Sequence, residues 1–167
     1  HAFTEEETNS LKELMLCRRP NWEILFRLYH DQKLNPMSFL RSEEFLNILT
    51  ECCIKDYPYT PFADAFHTMR SMLLPVLYLM GSEVPKADVY HAICTGYGGL
   101  LACLGGHVYK KKVLLTEHGI YTREREEEII RAKWVQPAFK KQWISFFYML
   151  SDIIYTRAFL VSALFTN

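Results

Sequence analysis

Two short stretches of this 167-residue chain hold residue types and spacings that could do chemistry, and a third is suggestive. The first is Thr95-Gly96-Tyr97-Gly98-Gly99, which follows the apolar run Val89-Tyr90-His91-Ala92-Ile93-Cys94. Small residues let backbone N–H groups approach a ligand closely, and a helix beginning there would favour an anion. Leu101 stands where G-x-G-x-x-G needs its third glycine, and no Gly-Lys-Ser/Thr follows, so neither a dinucleotide fingerprint nor a P-loop is present. A plain strand-to-helix turn that requires glycine explains the stretch equally well. The second is Thr116-Glu117-His118-Gly119, after the apolar Val113-Leu114-Leu115. A carboxylate beside an imidazole at a strand end can serve as acid, base or hydrogen-bond donor. A satisfied histidine in a turn is the competing reading. Arg123 and Arg125 come at the next helix start, where cations are unfavourable unless they meet phosphate or carboxylate. A solvated helix face, with Arg123–Glu127 and Glu127–Arg131 as spaced ion pairs, is the alternative for both. The third stretch is Thr166-Asn167 at the chain end.

Other constellations carry less. His91 and Cys94 are three apart in an extended run, so they face opposite sides and cannot share a metal. Lys110-Lys111-Lys112 precedes a strand and therefore sits at the amino end of the sheet, as a solvated loop. Asp64, His67 and Arg70 share a helix face that reads as solvated. No G-x-S-x-G elbow or H-E-x-x-H occurs.

The elements that must position these residues are legible in outline. Thr4 to Cys17 reads as a helix with an acidic first turn, Glu5-Glu6-Glu7. Asn21 can cap a second helix bearing Trp22, Leu25, Phe26 and Tyr29, and Asn35-Pro36 marks a turn. Ser42 to Ile54 is a third helix with a stripe of Phe45, Ile48, Leu49 and Cys52. Pro61 opens a long helix whose apolar face runs from Phe62 through Phe66, Met69, Leu73 and Leu77 to Met80. Pro75 should kink it and Gly81 should stop it. Beyond Gly81 the texture changes to short apolar runs: Val89–Cys94, Val113–Leu115 and Phe159–Phe165. Helices at Leu100–Tyr109, Arg123–Trp134 and Ala138–Arg157 separate them. Such runs suggest parallel strands buried on both faces. The expected fold is α/β and helix-rich: one incomplete domain over 1–167, mainly helical over 1–84 and βαβ-like over 85–167. In such sheets ligands bind outside the carboxyl ends of the strands, which is where the first two stretches fall.

Composition limits the classes. Half the residues are hydrophobic and 14% aromatic, which excludes disorder. Lys+Arg and Asp+Glu are both 19, and zero net charge argues against a nucleic-acid module. The most apolar stretch, Ile144 to Phe165, is broken by Asp152 and Arg157, so a membrane span is not expected. Five cysteines without a C-x-x-C favour a reducing compartment over a disulfide framework. About three strands and no initial Met suggest a portion of a larger domain. A severed sheet exposes an edge and apolar faces, so self-association or strand exchange is expected.

Three segments together resemble the PelF family of GT-B-type retaining glycosyltransferases in bacterial exopolysaccharide synthesis. They are Asp88 to Gly99, Leu114 to Ile129, and Trp143-Ile144-Ser145-Phe146-Phe147-Tyr148. The block T-E-H-G-I-Y-T-R-E-R-E, Thr116 to Glu126, is the most specific part. The resemblance is close over the second half of the chain and looser over the first. It implies an acceptor-side N-terminal domain facing a separate donor-binding domain, and transfer of a hexose, glucose by the family pattern, from a UDP-sugar. His118 would be the catalytic contact to the donor, with Thr95, Gly96, Glu117, Gly119, Arg123 and Arg125 as substrate-binding positions. No cofactor or metal is implied. The expected partners are UDP-sugar, a glycan acceptor and membrane-bound polysaccharide synthesis or export proteins. The expected location is cytoplasmic, with peripheral attachment to the inner membrane through partners as a further option. The family's first strands and its donor-binding domain do not occur in this chain, so these residues alone are not expected to turn over. The alternative reading is a non-catalytic module that docks an export partner through exposed aromatic surface on Phe62–Met80. A hydrolase using Glu117 and His118 ranks last, because no nucleophile or metal cluster accompanies them.

Overall fold

The computed structural model describes residues 1–165; the Thr166-Asn167 stretch lies outside them. The chain forms two compact units, one of His1–Gly81 with Gln136–Phe139, the other of Ser82–Val135 with Lys140 onward.

The first unit is helical. Its opening helix α1 (Glu5–Met15) starts in a capping box: Thr4 Oγ1 accepts from Glu7 N–H at 3.2 Å, and Glu7 Oε2 accepts from Thr4 N–H at 3.0 Å. Asn21 caps α2 (Trp22–Phe26), which continues as a π-helical turn over Arg27–Asp31. Asn35-Pro36 does more than turn the chain. Asn35 Oδ1 accepts from Met37 N–H at 2.8 Å and Pro36 supplies the first residue of a short helix, α3 (Pro36–Leu40). Ser42 caps α4 (Glu43–Asp56), and its buried residues are the stripe expected from spacing: Phe45, Ile48, Leu49 and Cys52. The long helix α5 (Phe62–Met80) runs unbroken through Pro75, whose ring lies on the exposed side. Met69, Leu73, Leu77 and Met80 are buried as expected, whereas Phe62 is exposed and Phe66 half-buried.

The second unit is a parallel three-stranded sheet in the order β1-β2-β3, from β1 (Val89–Ala92), β2 (Lys112–Glu117) and β3 (Leu160–Ala163). Val89–Ala92 pairs with Lys112–Leu115, and Leu114–Glu117 pairs with Leu160–Ala163. The crossovers run through α6 (Tyr97–Tyr109), then through α7 (Tyr121–Arg131) and α8 (Lys140–Arg157). A 3₁₀ turn, Pro137–Phe139, precedes α8, so that helix starts two residues later than its apolar pattern indicates.

The strands are not buried on both faces. Tyr90, Ala92, Val113 and Leu115 are buried, while Val89 and His91 are exposed and all four residues of β3 are exposed. For β1 and β2 the reason is topological. Both crossovers step the same way across the sheet, and right-handed connections then lay their helices on the same face. Accordingly α6 packs on β1 and β2, α8 on β2 and α6, and α7 on α8. Phe146, Leu150, Ile153 and Ile154 of α8 fill the core under that face.

Candidate functional site

Because β1 and β2 pair in parallel, their carboxyl ends are neighbours, and the two chemistry-bearing turns leave the sheet side by side. Gly96 caps α6 with φ +76° and ψ −139°, a conformation that side-chain-bearing residues rarely adopt. A Cβ on Gly96 would lie 2.7 Å from the ring of Tyr121, the first residue of α7. The turn after β1 therefore packs directly on the segment that follows His118-Gly119.

Each neighbour of this junction has a specific tether. Thr95 is buried, and its hydroxyl accepts from Ser151 Oγ at 2.8 Å, so it braces the turn against α8. Glu117, at the end of β2, accepts a hydrogen bond from the Tyr155 hydroxyl. Burial pushes the Tyr155 phenol up, and the hydrogen bond to Glu117 and its charge push the same way. The Tyr121 ring stacks edge-on against Phe147 and lies under the Arg125 guanidinium. Burial raises the Tyr121 phenol, with Arg125 opposing.

His118 stands apart from this bracing. It is exposed, and no hydrogen-bond or ion-pair partner meets its ring among the described residues. Gly119 beside it is closely approached: a Cβ there would lie 2.7 Å from Glu124 Oε1. Ile120 gives α7 no side-chain cap, and Glu124 places a carboxylate in the first turn of that helix, close to Gly119.

Arg123 parts company with the turns, while Arg125 stays beside them over the Tyr121 ring. Arg123 Nε lies 3.7 Å from Glu127 Oε1, and Arg131 pairs with the same carboxylate at 3.8 Å, the spaced pairs of a solvated face. Arg125 holds Glu128 through both terminal nitrogens, at 2.8 and 2.9 Å. The structure thus gathers Thr95, Gly96, Glu117, His118 and Gly119 and leaves Arg123 occupied along α7, while Arg125 lies over Tyr121 with its terminal nitrogens on Glu128 and its buried Nε without a hydrogen-bond partner among the described residues.

Sequence reasoning missed Ser151, Tyr155 and Tyr121. Ser151 left a signal, a polar residue inside the apolar run Phe146–Ile154, and Tyr155 lies one helical turn further on the same face. Of the lysine run at the amino end of the sheet, Lys112 covers the Phe159 ring at 3.8 Å and Lys111 pairs with Asp88. Among the described residues no group of three His, Cys, Asp or Glu side chains is placed to hold a metal ion, and no helix is long and apolar enough to cross a membrane.

A parallel sheet with helical crossovers, and a histidine turn at its carboxyl edge, make this a helix-rich α/β protein of partial Rossmann-like architecture. The chain belongs to the family described as Domain of unknown function (DUF3492), which matches residues 2–167. Neither the curated proteins nor the solved structures contain a match to it.

Proposed function

We propose that this chain is the acceptor-side N-terminal domain of a retaining GT-B-type glycosyltransferase. It would help transfer a hexose, glucose by the PelF pattern, from a UDP-sugar during bacterial exopolysaccharide synthesis. The observation that carries this reading is His118, an exposed imidazole without a partner among the described residues, in the T-E-H-G turn at the carboxyl end of the central strand. The association of the DUF3492 family with glycosyltransferase-like proteins of the GT-B type supports it.

On this reading the reaction is a front-face displacement that needs no protein nucleophile. The acceptor hydroxyl oxygen forms a bond to the anomeric carbon as the bond to UDP breaks; UDP leaves with the electron pair, and its departing phosphate oxygen takes the acceptor's proton. The enzyme must align the two substrates and stabilise the charge that develops on the leaving phosphate. His118 hydrogen-bonds the donor sugar or its phosphate. Glu117 holds the turn through Tyr155, and Thr95 and Gly96 set the neighbouring turn's shape. Donor-binding groups come from the separate donor domain that the family resemblance implies. The proposed setting is cytoplasmic, with membrane-bound export proteins as partners.

The test is UDP release by the intact protein from a panel of UDP-sugars, alongside His118→Ala. We expect release selective for UDP-glucose and a loss of about 10²- to 10³-fold in the variant, with circular dichroism unchanged. A loss of only a few-fold would return His118 to a turn-forming role. Absence of release from every sugar nucleotide would favour the docking-module alternative. That alternative has less behind it, because the exposed Phe62 and Tyr78 of α5 point about 160° apart around the helix axis and form no single aromatic face.

A further inference from the structure

Glu124, Glu127, Glu128 and Arg131 recur along α7 at helical intervals, which places them on one face of that helix. They line an open cavity of about 550 Å³ that continues past the helix end to Trp134. A volume of that size is ordinary for a ligand site. The cavity belongs to the crossover between β2 and β3, away from the outer strands of the sheet.

Two features set it apart from a solvated helix face. The first is Trp134, which is 70% exposed although the chain around it is fixed. Lys140 Nζ donates to the carbonyls of Ile130 and Ala132, at 2.6 and 3.1 Å, and so ties down the end of α7. The Trp143 ring meets the indole at 5.6 Å between centroids, with the planes 78° apart. An indole already held in place loses little freedom when a ligand covers it. The second feature is the pattern of charge. Glu127 lies between Arg123 and Arg131, at 3.7 and 3.8 Å, and Glu128 is held by Arg125 at 2.8 Å. Glu124 has no ion-pair or hydrogen-bond partner among the described residues.

Paired ions keep lone pairs and N–H groups for further hydrogen bonds while their charges largely cancel. A polyanion would meet three carboxylates against one guanidinium in this lining. A polycation would have to displace arginines already in place. A neutral chain of hydroxyls meets neither cost. Its C–H faces suit the indole, and its hydroxyls suit the carboxylates and the guanidinium.

We propose that this groove is a subsite for the acceptor, a neutral oligosaccharide of hexose units that covers Trp134 and hydrogen-bonds along Glu124, Glu127, Glu128 and Arg131. The assignment rests on the glycosyl-transfer reading and adds the chemical class of the acceptor to it. Glu124 connects the groove to the histidine turn, since a Cβ on Gly119 would lie 2.7 Å from Glu124 Oε1. The groove therefore starts beside His118-Gly119 and runs down the helix face, and the step from Glu124 to Arg131 alone spans about 10 Å. A chain lying there presents its end to His118 and its body to Trp134.

Isothermal titration calorimetry of the intact protein, without donor, tests the assignment with neutral glucose, galactose and mannose oligosaccharides as probes. At least one should bind saturably, and Trp134→Ala should weaken that binding about tenfold or more. Trp134→Phe, which keeps a stacking face, should retain most of the affinity. Arg131→Ala, at a side chain 80% exposed and so without consequence for folding, should weaken binding several-fold. Absence of binding by every neutral chain would overturn the proposal, as would binding that Trp134→Ala and Arg131→Ala leave unchanged. Tighter binding of amino-sugar or uronic-acid oligosaccharides than of neutral ones would overturn the ligand class. Calorimetry needs no turnover, so the two readings fail separately. Glycan binding without UDP release from any sugar nucleotide would overturn the acceptor role and leave a glycan-binding groove; UDP release without glycan binding would overturn the groove and leave the glycosyl-transfer reading.

Discussion

At Gly96 the backbone holds φ +76°, and the Tyr121 ring occupies the space where a side chain would begin. Gly96→Ala meets both obstacles at once, and the ring is itself held by Phe147. We expect a destabilisation of about 2–4 kcal/mol, read as a clear fall in thermal midpoint; a change of less than about 1 °C would mean that the turn relaxes freely. The need for glycine there was legible in Thr95-Gly96-Tyr97-Gly98-Gly99, but its cause was not. The partner ring comes from a residue 25 positions later, and no local spacing encodes that approach. The arginines illustrate the opposite case. Their ion pairs follow from intervals of three and four along one helix, so the sequence alone was enough to name Arg123–Glu127 and Glu127–Arg131.

Among the elements, α8 organises the site although it carries none of the residues singled out for chemistry. Ser151 secures the turn after β1 through Thr95, and Tyr155, one turn on, secures the end of β2 through Glu117. Ser151→Ala leaves the Thr95 hydroxyl buried without this partner and should cost about 1–2 kcal/mol. The double variant with Thr95→Val removes both polar groups and should recover much of that loss. Urea denaturation of the two variants checks the pair: equal midpoints would show that the orphaned hydroxyl is not the source of the cost. The helix ends were readable where a side chain caps them, at Thr4, Asn21 and Ser42. The start of α7 was not, because Ile120 offers no cap and the chain enters the helix two residues before Arg123.

Over the whole molecule, thiols and phenols held above their usual range should weaken the fold as pH rises. Burial pushes the Cys103 thiol up to about 12, against the opposing charge of Arg157. Burial, aided by Cys52, pushes Cys17 up to about 12, and burial together with Tyr121 does the same for Tyr97. The folded state holds these protons more tightly than the unfolded chain, where thiols titrate near about 8.5 and phenols near about 10. Their contribution is full below those values and is lost as pH rises toward about 12. The urea midpoint should therefore fall steadily above about pH 9, and less steeply in Cys103→Ala. A midpoint that stays level to about pH 11 would show that these protons do not stabilise the fold.

The sequence by itself determined what depends on near neighbours along the chain. That includes helix against strand, the capped starts, the apolar stripe of α4, the ion pairs of α7 and the placement of two polar turns after two strands. Periodicity and capping act over three to seven residues, and those distances lie within any window of the sequence. Tertiary structure alone decided which face of the sheet is covered. A run such as Val113-Leu114-Leu115 reads equally well as a strand buried on both faces or on one, and the direction of two successive crossovers settles the matter. It also decided that Thr95 turns inward while His118 remains open. Burial at a strand end depends on what another helix brings to it, and here α8 brings Ser151 to Thr95 while no side chain among the described residues meets the ring of His118.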